Sequence, residues 1–331
     1  MSSAKGNEQL LTLMSGFQPA CVLGAAAELD IFSALAGEAL SAPQLAHKLK
    51  ADPRALAMLL DALCSLELLA KEGGGYRLPP GLAASLTEAS PASVLPMIQH
   101  QMNCLRAWAE LAWSVRQGGP AKRRASICGP EADRAAFIQA MDNASRPIAA
   151  SLVRQLGPLN FKHLLDVGGA SGTWTIVFLR AVPEAKAVLF DLPDAIPHAA
   201  KRLEQAGLKE RVKLVKGDFY TDDLPKGSDF AWLSAIVHQN SRQQNRELFA
   251  KVHAALLPGG RIVIRDIVME PSRTAPRMGA LFALNMLVHT PSGGTFTFAE
   301  LDEDLRQAGF GPALLLHSGQ AMDAVVQAVK A

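Results

Sequence analysis

Residues 164–172, LLDVGGASG, run from an apolar stretch through a carboxylate, Asp166, into a turn containing Gly168, Gly169 and Gly172, after which a helix-like segment begins. Glycines at such a junction let backbone amides approach a ligand closely. Two more acids end apolar runs further on: Asp191 in LFDLP, followed by Leu192, and Asp218 in KGDFY, followed by Phe219. Asp191 stands about 20 residues beyond the glycines, where a strand-end carboxylate can accept both hydroxyls of a ribose. Asp218 can accept from an adenine amino group while Phe219 packs against the base. Any one such aspartate can simply cap a turn; the ordered set is what points to a nucleoside. A dinucleotide fingerprint is not met, because Ala170 and Thr173 occupy the third and sixth positions counted from Gly168. Asp166 places a carboxylate beside the amine of a cofactor that ends in an amino acid, which favours S-adenosylmethionine, with S-adenosylhomocysteine as product.

The stretch AIVHQNSRQQN, 235–245, closes another apolar run at His238. Methyl transfer from a sulfonium is an in-line displacement, so a hydroxyl acceptor must be aligned and must lose its proton. A histidine with a pKa of about 6.5 suits that proton when a neighbour orients its ring. His238 is accordingly the candidate base, placed at the end of the fourth strand, and no metal is required. Asp222 and Asp223 are adjacent loop acids, which usually face water rather than converge on a hard cation. Met141, Asn143, Gln239, Asn285, Met286 and His289 are the candidate lining of an acceptor pocket for a flat, partly polar small molecule.

These groups need a scaffold. HLLDVGG, AVLFDLP, VKLVKGDF, DFAWLSAIVH and RIVIRDIVM are short apolar runs separated by helix-like segments, the pattern of an α/β, doubly wound parallel sheet. ALLLHSG and DAVVQAVK lie too close together for a helical crossover and predict an antiparallel hairpin at the sheet edge. Upstream, helical spacing from Gly16 to about Leu69 and the three glycines of LLAKEGGGYRL give helix, turn, helix and hairpin, the order of a winged-helix module. The chain divides into residues 1–92, a set of connecting helices over 93–160 that contributes to the acceptor pocket, and residues 161–331 carrying the cofactor site.

Composition narrows the partners. Lys plus Arg number 33 against 31 acids, which offers no field for nucleic acid or an anionic membrane. The helix that would enter a DNA groove, about Pro53 to Leu66, has Arg54 as its one arginine and also carries Asp61. Cys21, Cys64, Cys104 and Cys128 form no CxxC pair, pointing to neither zinc nor disulfides, and the N-terminus lacks a signal-like or spanning segment. A cytoplasmic enzyme with a small-molecule acceptor, bound neither to nucleic acid nor to membrane, is the expectation.

GFQPACVLGAAAELDIFSAL, PRALAMLLDAL, DVGGASG, FDLP, GDF and LPGGRIVIRD occur in an order that resembles the plant-type and bacterial O-methyltransferase family, which includes caffeic acid, acetylserotonin and hydroxyneurosporene O-methyltransferases. The resemblance covers nearly the whole chain. It implies a Rossmann-like methyltransferase sheet, contact of Gly168, Asp191, Asp218 and Phe219 with S-adenosylmethionine, and a winged-helix part that forms a homodimer and helps close the partner's pocket. Ser234 stands where relatives often carry a basic residue near the cofactor. The resemblance carries the base role onto His238 and gives Asp266, 28 residues later, the task of orienting its ring. Where relatives read His-Asp-Trp this chain reads His-Gln-Asn, and Gln239 cannot supply negative charge to the imidazole. A second orienting glutamate of many relatives falls near Thr295. The resulting expectation is O-methylation of a phenol-like or enol-like hydroxyl, with transfer to carbon or nitrogen, and a non-catalytic binding protein, as the alternatives.

Overall fold

The computed structural model describes residues 6–330. They form two compact units, one holding the chain up to Arg106 together with Arg124–Asn143, the other Ala107–Arg123 and the chain from Ala144 onward. The span 93–160, read from sequence as one connecting segment, is therefore shared between the units.

The first unit contains α1 (Asn7–Ser15), α2 (Phe17–Glu28), α3 (Ile31–Ala34), α4 (Ala42–Leu49), α5 (Pro53–Ser65), the strands β1 (Ala70–Glu72) and β2 (Gly75–Arg77), α6 (Pro80–Leu86) and most of α7 (Leu95–Trp108). Local chemistry sets the helix starts. Ser41 and Gln44 make a capping box ahead of α4, and Asp52 accepts from Ala55 N at 2.8 Å ahead of α5, whose first residue is Pro53. The stripe Leu56, Leu60 and Leu63 is buried against Ile31, Phe32 and Leu45, each such side chain contributing about 1.5–3 kcal/mol. Gly73 and Gly74, with φ of +57° and +81°, close the β1–β2 hairpin.

The first two helices bear on the expectation that nothing spans a membrane. Asn7–Glu28, 22 residues with a mean hydropathy of 1.5 over an 18-residue window, is long and apolar enough to cross a membrane by length and composition. Its polar residues after Glu8 are uncharged until Glu28, which is why a search for purely apolar runs passes over it. Gly24, Ala26 and Ala27 nonetheless bury one side of α2 in the first unit's core.

The second unit takes in α8 (Leu111–Gln117) and the end of α9 (Pro130–Gln155), and then alternates β3 (His163–Val167), α10 (Thr173–Ala181), β4 (Lys186–Asp191), α11 (Ile196–Gln205), β5 (Val212–Lys216), β6 (Ser228–Ser234), α12 (Arg242–Ala255) and β7 (Leu256–Asp266). β8 (Val268–Met269), α13 (Arg277–His289), β9 (Phe296–Thr297), α14 (Phe298–Gln307), β10 (Leu314–His317) and β11 (Ala324–Val329) complete it. The seven-stranded sheet has the order β10-β11-β7-β6-β3-β4-β5, parallel from β7 to β5 and antiparallel at β11 and β10. The predicted doubly wound sheet and edge hairpin are both present. Alternation places Leu165 and Val167 in the core shared with Phe249, Ile262 and Ile264, and Leu164 in the one shared with Phe178, Trp232 and Val263. The chain winds outward from β3 through β4 to β5, then crosses back to β6, so a switch point lies at the carboxyl end of β3, where open α/β sheets bind ligands.

Candidate active site

The glycine turn after β3 is shaped by its neighbours. Gly168 has φ +70°, and a Cβ added there would lie 2.5 Å from Ile236 Cδ1 and 4.0 Å from Phe219 Cε1. At Gly169 it would lie 2.6 Å from Leu189 Cγ, and Gly172 closes the turn with φ +77°. The strand ends are thus drawn against one another, with Phe219 next to Gly168. Ala170 adopts φ +45° without being glycine, and its N–H donates to Asp191 Oδ2 at 2.6 Å. Asp191 Oδ1 accepts from the N–H of exposed Leu192 at 2.7 Å, and burial raises the Asp191 pKa. Asp218 lies just past the end of β5 rather than on its last residue, and its Oδ1 accepts from Tyr220 N at 2.9 Å.

Asp166 is 1% exposed and accepts from Thr175 Oγ1 of α10 at 2.6 Å. Burial, with a smaller push from Asp191, raises its pKa to about 7. The side chain ties strand to helix beneath the turn and shares the buried face of Leu164. Ser234 holds no charge, but Arg265 of the adjacent strand donates from Nη1 to Ser234 Oγ at 2.9 Å and lies 4.9 Å over the Trp174 ring. Burial lowers the Arg265 pKa to about 10. Sequence reading missed this cation; the signal was an arginine inside an apolar strand.

Gly turn, Asp191, Asp218 and Phe219 come from β3, β4 and β5, consecutive neighbours in the sheet. Carboxylates for ribose and adenine groups, an aromatic face and a tight amide turn form a donor set that fits S-adenosylmethionine. Among the described residues no group of three or more His, Cys, Asp or Glu converges to hold a metal ion.

His238 does not end β6, as the sequence suggested. The strand stops at Ser234, Ala235 turns the chain with φ +59°, and His238 sits in a 3-10 turn, Val237–Gln239. That turn is fastened to Asp266 at the end of β7. His238 N donates to Oδ2 at 3.2 Å, and Nδ1 lies 2.9 Å from Oδ1 and 3.1 Å from Oδ2. Ile267 N adds a 2.8 Å bond to Oδ1. With Nδ1–H directed at the carboxylate, Nε2 carries the lone pair. The Phe282 ring meets the imidazole edge-on, centroids 4.8 Å apart and planes at 87°. Thr295 takes no part, since its Oγ1 donates to Gly279 O at 3.4 Å.

Other pocket candidates fall in both units. In the second, Asn285 Oδ1 accepts from Trp108 Nε1 at 2.9 Å, Met286 is buried, and His289 Nδ1 donates to Asn285 O at 2.8 Å. His289 Nε2 is buried without a hydrogen-bond partner, and burial lowers its pKa. In the first, Met141 is half-buried and Asn143 Nδ2 donates to Ser93 O at 2.9 Å. Gln239 is half-buried.

A nucleoside-type crevice at the switch point, beside a carboxylate-held histidine, is the arrangement of a Rossmann-like methyltransferase. Residues 110–311 match the O-methyltransferase domain and residues 11–87 the O-methyltransferase dimerisation domain. The tetracenomycin polyketide synthesis 8-O-methyl transferase of Streptomyces glaucescens is 32% identical over 315 residues, 92% of each chain. An N,N-dimethyltransferase of Streptomyces rimosus is 30% identical over 311 residues, covering 91% of this chain and 90% of its own. The crystal structure of human N-acetylserotonin methyltransferase in complex with S-adenosylmethionine superposes with TM-score 0.81 at 26% identity, covering 100% of this chain and 99% of that one. The chain belongs to the O-methyltransferase family and is an S-adenosylmethionine-dependent methyltransferase.

Proposed function

We propose that this enzyme methylates a hydroxyl of a small aromatic or polyketide-like metabolite, with His238 as general base and Asp266 holding its ring. The observation that carries the reading is the buried His238–Asp266 pair, 2.9 Å from Nδ1 to Oδ1. S-Adenosylmethionine supplies an electrophilic methyl group on its sulfonium. Gly168, Gly169, Gly172, Asp191, Leu192, Asp218 and Phe219 hold it, with Ser234 and its Arg265 partner at the edge. His238 Nε2 takes the acceptor proton, and the imidazolium that forms is stabilised by Asp266. Neutral His289, donating through Nδ1, offers an Nε2 lone pair to a second hydroxyl or N–H of the acceptor. Asn285, Met286 and Phe282 share its helix, and we assign Gln239 to the same pocket.

We further assign the first unit as a winged-helix homodimerisation module. Leu10, Leu11, Leu13, Met14 and Phe17 are all more than half exposed along α1 and the start of α2, and the dimerisation-domain match supports a second copy as their cover. Its free cysteines suit a reducing cytosol. Transfer to nitrogen is a second reading, favoured by the relative that is an N,N-dimethyltransferase. An acceptor screen with isotope-labelled methyl donor, read by mass spectrometry of the product, tests both. Products methylated on oxygen and a His238→Ala rate at least 100-fold down are expected; full rate in His238→Ala refutes the base.

A further inference from the structure

Asn240, one of two amides that replace an acidic and an aromatic residue of the relatives, turns toward the Tyr220 hydroxyl. Tyr220 Oη donates to Asn240 Oδ1 at 2.5 Å. Asn240 is fully buried and passes the connection on, Nδ2 donating to Asn245 Oδ1 at 2.9 Å; Asn245, also fully buried, donates from Nδ2 to Val237 O at 3.1 Å. Val237 opens the 3-10 turn that carries His238.

The other end of this chain of bonds lies on the nucleotide side. Tyr220 follows Phe219, the two rings 4.6 Å apart, and its N–H donates to Asp218 Oδ1. Lys251 of α12 fixes that loop by donating to the carbonyls of Phe219, Tyr220 and Asp222 at 2.9, 3.0 and 3.0 Å. Helix α12 therefore grips the Asp218–Phe219 loop through Lys251 and the base turn through Asn245. Tyr220 and Asn240 close the bridge between them.

We infer that Tyr220, Asn240 and Asn245 are positioning residues which couple occupation of the Asp218–Phe219 subsite to the placement of His238. This rests on the reading of His238 as base and of Phe219 as nucleoside contact. Every polar atom named in the chain is committed: Asn240 uses both ends of its amide, and Asn245 its carbonyl and its NH2. A satisfied network whose two asparagines are fully buried fixes one geometry, and loss of one member leaves its neighbour unpaired. A tryptophan at 240 would lack the carbonyl and NH2 this chain uses.

The test measures S-adenosylhomocysteine binding by calorimetry, kcat at saturating donor and acceptor, and thermal stability for Tyr220→Phe, Asn240→Leu, the double variant and His238→Ala. Tyr220→Phe is expected to weaken S-adenosylhomocysteine binding and to lower kcat together, each about fivefold to tenfold, the scale of one buried hydrogen bond. Adding Asn240→Leu should then cost less than it does alone, because both act through one bond. Additive losses, or a fall in melting temperature with binding and kcat at wild-type values, overturn the coupling. A dead His238→Ala beside a wild-type Tyr220→Phe overturns the positioning chain alone. Full rate in His238→Ala overturns the base reading and the chain's role with it.

Discussion

Asp266→Asn removes one charge and keeps nearly the same shape, and the geometry fixes what must follow. The Asp266 carboxylate receives three different donors: His238 Nδ1, His238 N and Ile267 N. With the amide oxygen at the Oδ1 place, the new NH2 faces His238 N, 3.2 Å away in the wild type. With the oxygen at the Oδ2 place, the NH2 faces Ile267 N at 2.8 Å. Either orientation opposes donor to donor, and with the NH2 at the Oδ1 place, 2.9 Å from Nδ1, the ring is relieved only if Nδ1 gives up its hydrogen. That tautomer carries hydrogen on Nε2, leaving no lone pair for the acceptor proton. The charge matters as well: unit charges about 4 Å apart attract by about 4 kcal/mol at an effective dielectric of about 20, and the pair here is separated by 2.9 Å. Each 1.36 kcal/mol lost from transition-state stabilisation is about tenfold in rate, so kcat should fall about 100-fold to 1,000-fold. S-Adenosylhomocysteine affinity should hold within about threefold, since Asp266 serves the ring rather than the glycine turn. Single-turnover transfer of labelled methyl, paired with calorimetry, reads both quantities. A kcat within threefold of wild type would refute the orientation and charge roles together.

Further outcomes follow from the same contacts. His289→Leu, which removes the buried Nε2, should raise KM for an acceptor bearing a second hydroxyl about tenfold with kcat little changed; a changed kcat at constant KM would contradict a pure binding role. Asp166 has a folded pKa raised to about 7 by burial, so its contribution to stability is fully present below the unfolded carboxylate value of about 4 and is lost as pH rises through about 7. Asp166→Asn should therefore flatten the melting temperature between pH 4 and 8 and leave cofactor affinity close to wild type, and a steep loss of affinity would restore the amine contact read from sequence. Leu11→Asp with Met14→Asp should convert a dimer to a monomer in light scattering, and an unchanged mass would remove α1 from the interface.

What sequence could disclose depended on whether the information was local. The strands ending at Asp191 and Asp266 were readable because alternation of apolar residues stops at an acid, and the edge hairpin because its loop is too short for a crossover. The burial of Asp166 was also encoded, as it shares a strand face with Leu164. The 3-10 turn of His238 was not readable: its φ of +59° falls on Ala235, where no glycine marks the reversal. Arg265 beside Ser234 depends on the register of β6 on β7, a pairing that no local pattern sets. The N-terminal stretch across α1 and α2 is not a continuous apolar run, because uncharged Gln, Thr and Ser interrupt it.

The same non-local contacts bear on the acceptor. Gln239 carries no charge and Thr295 Oγ1 is occupied with Gly279 O, so among the described residues Asp266 is the carboxylate bonded to the imidazole. A phenol-like hydroxyl ionises near pKa 10, about 3 to 4 units above a free imidazole, whereas a hydroxyl as weakly acidic as water, near 15.7, stands about 9 units above it. The first gap is within reach of a transfer in which carbon–oxygen bond formation and proton loss proceed together; the second asks the single Asp266 contact for far more than its charge can provide. The proposed base role would thus select phenolic and enolic hydroxyls over aliphatic ones, and the proposed acceptor contact of His289 Nε2 would select among those for a molecule carrying a second hydrogen-bond donor.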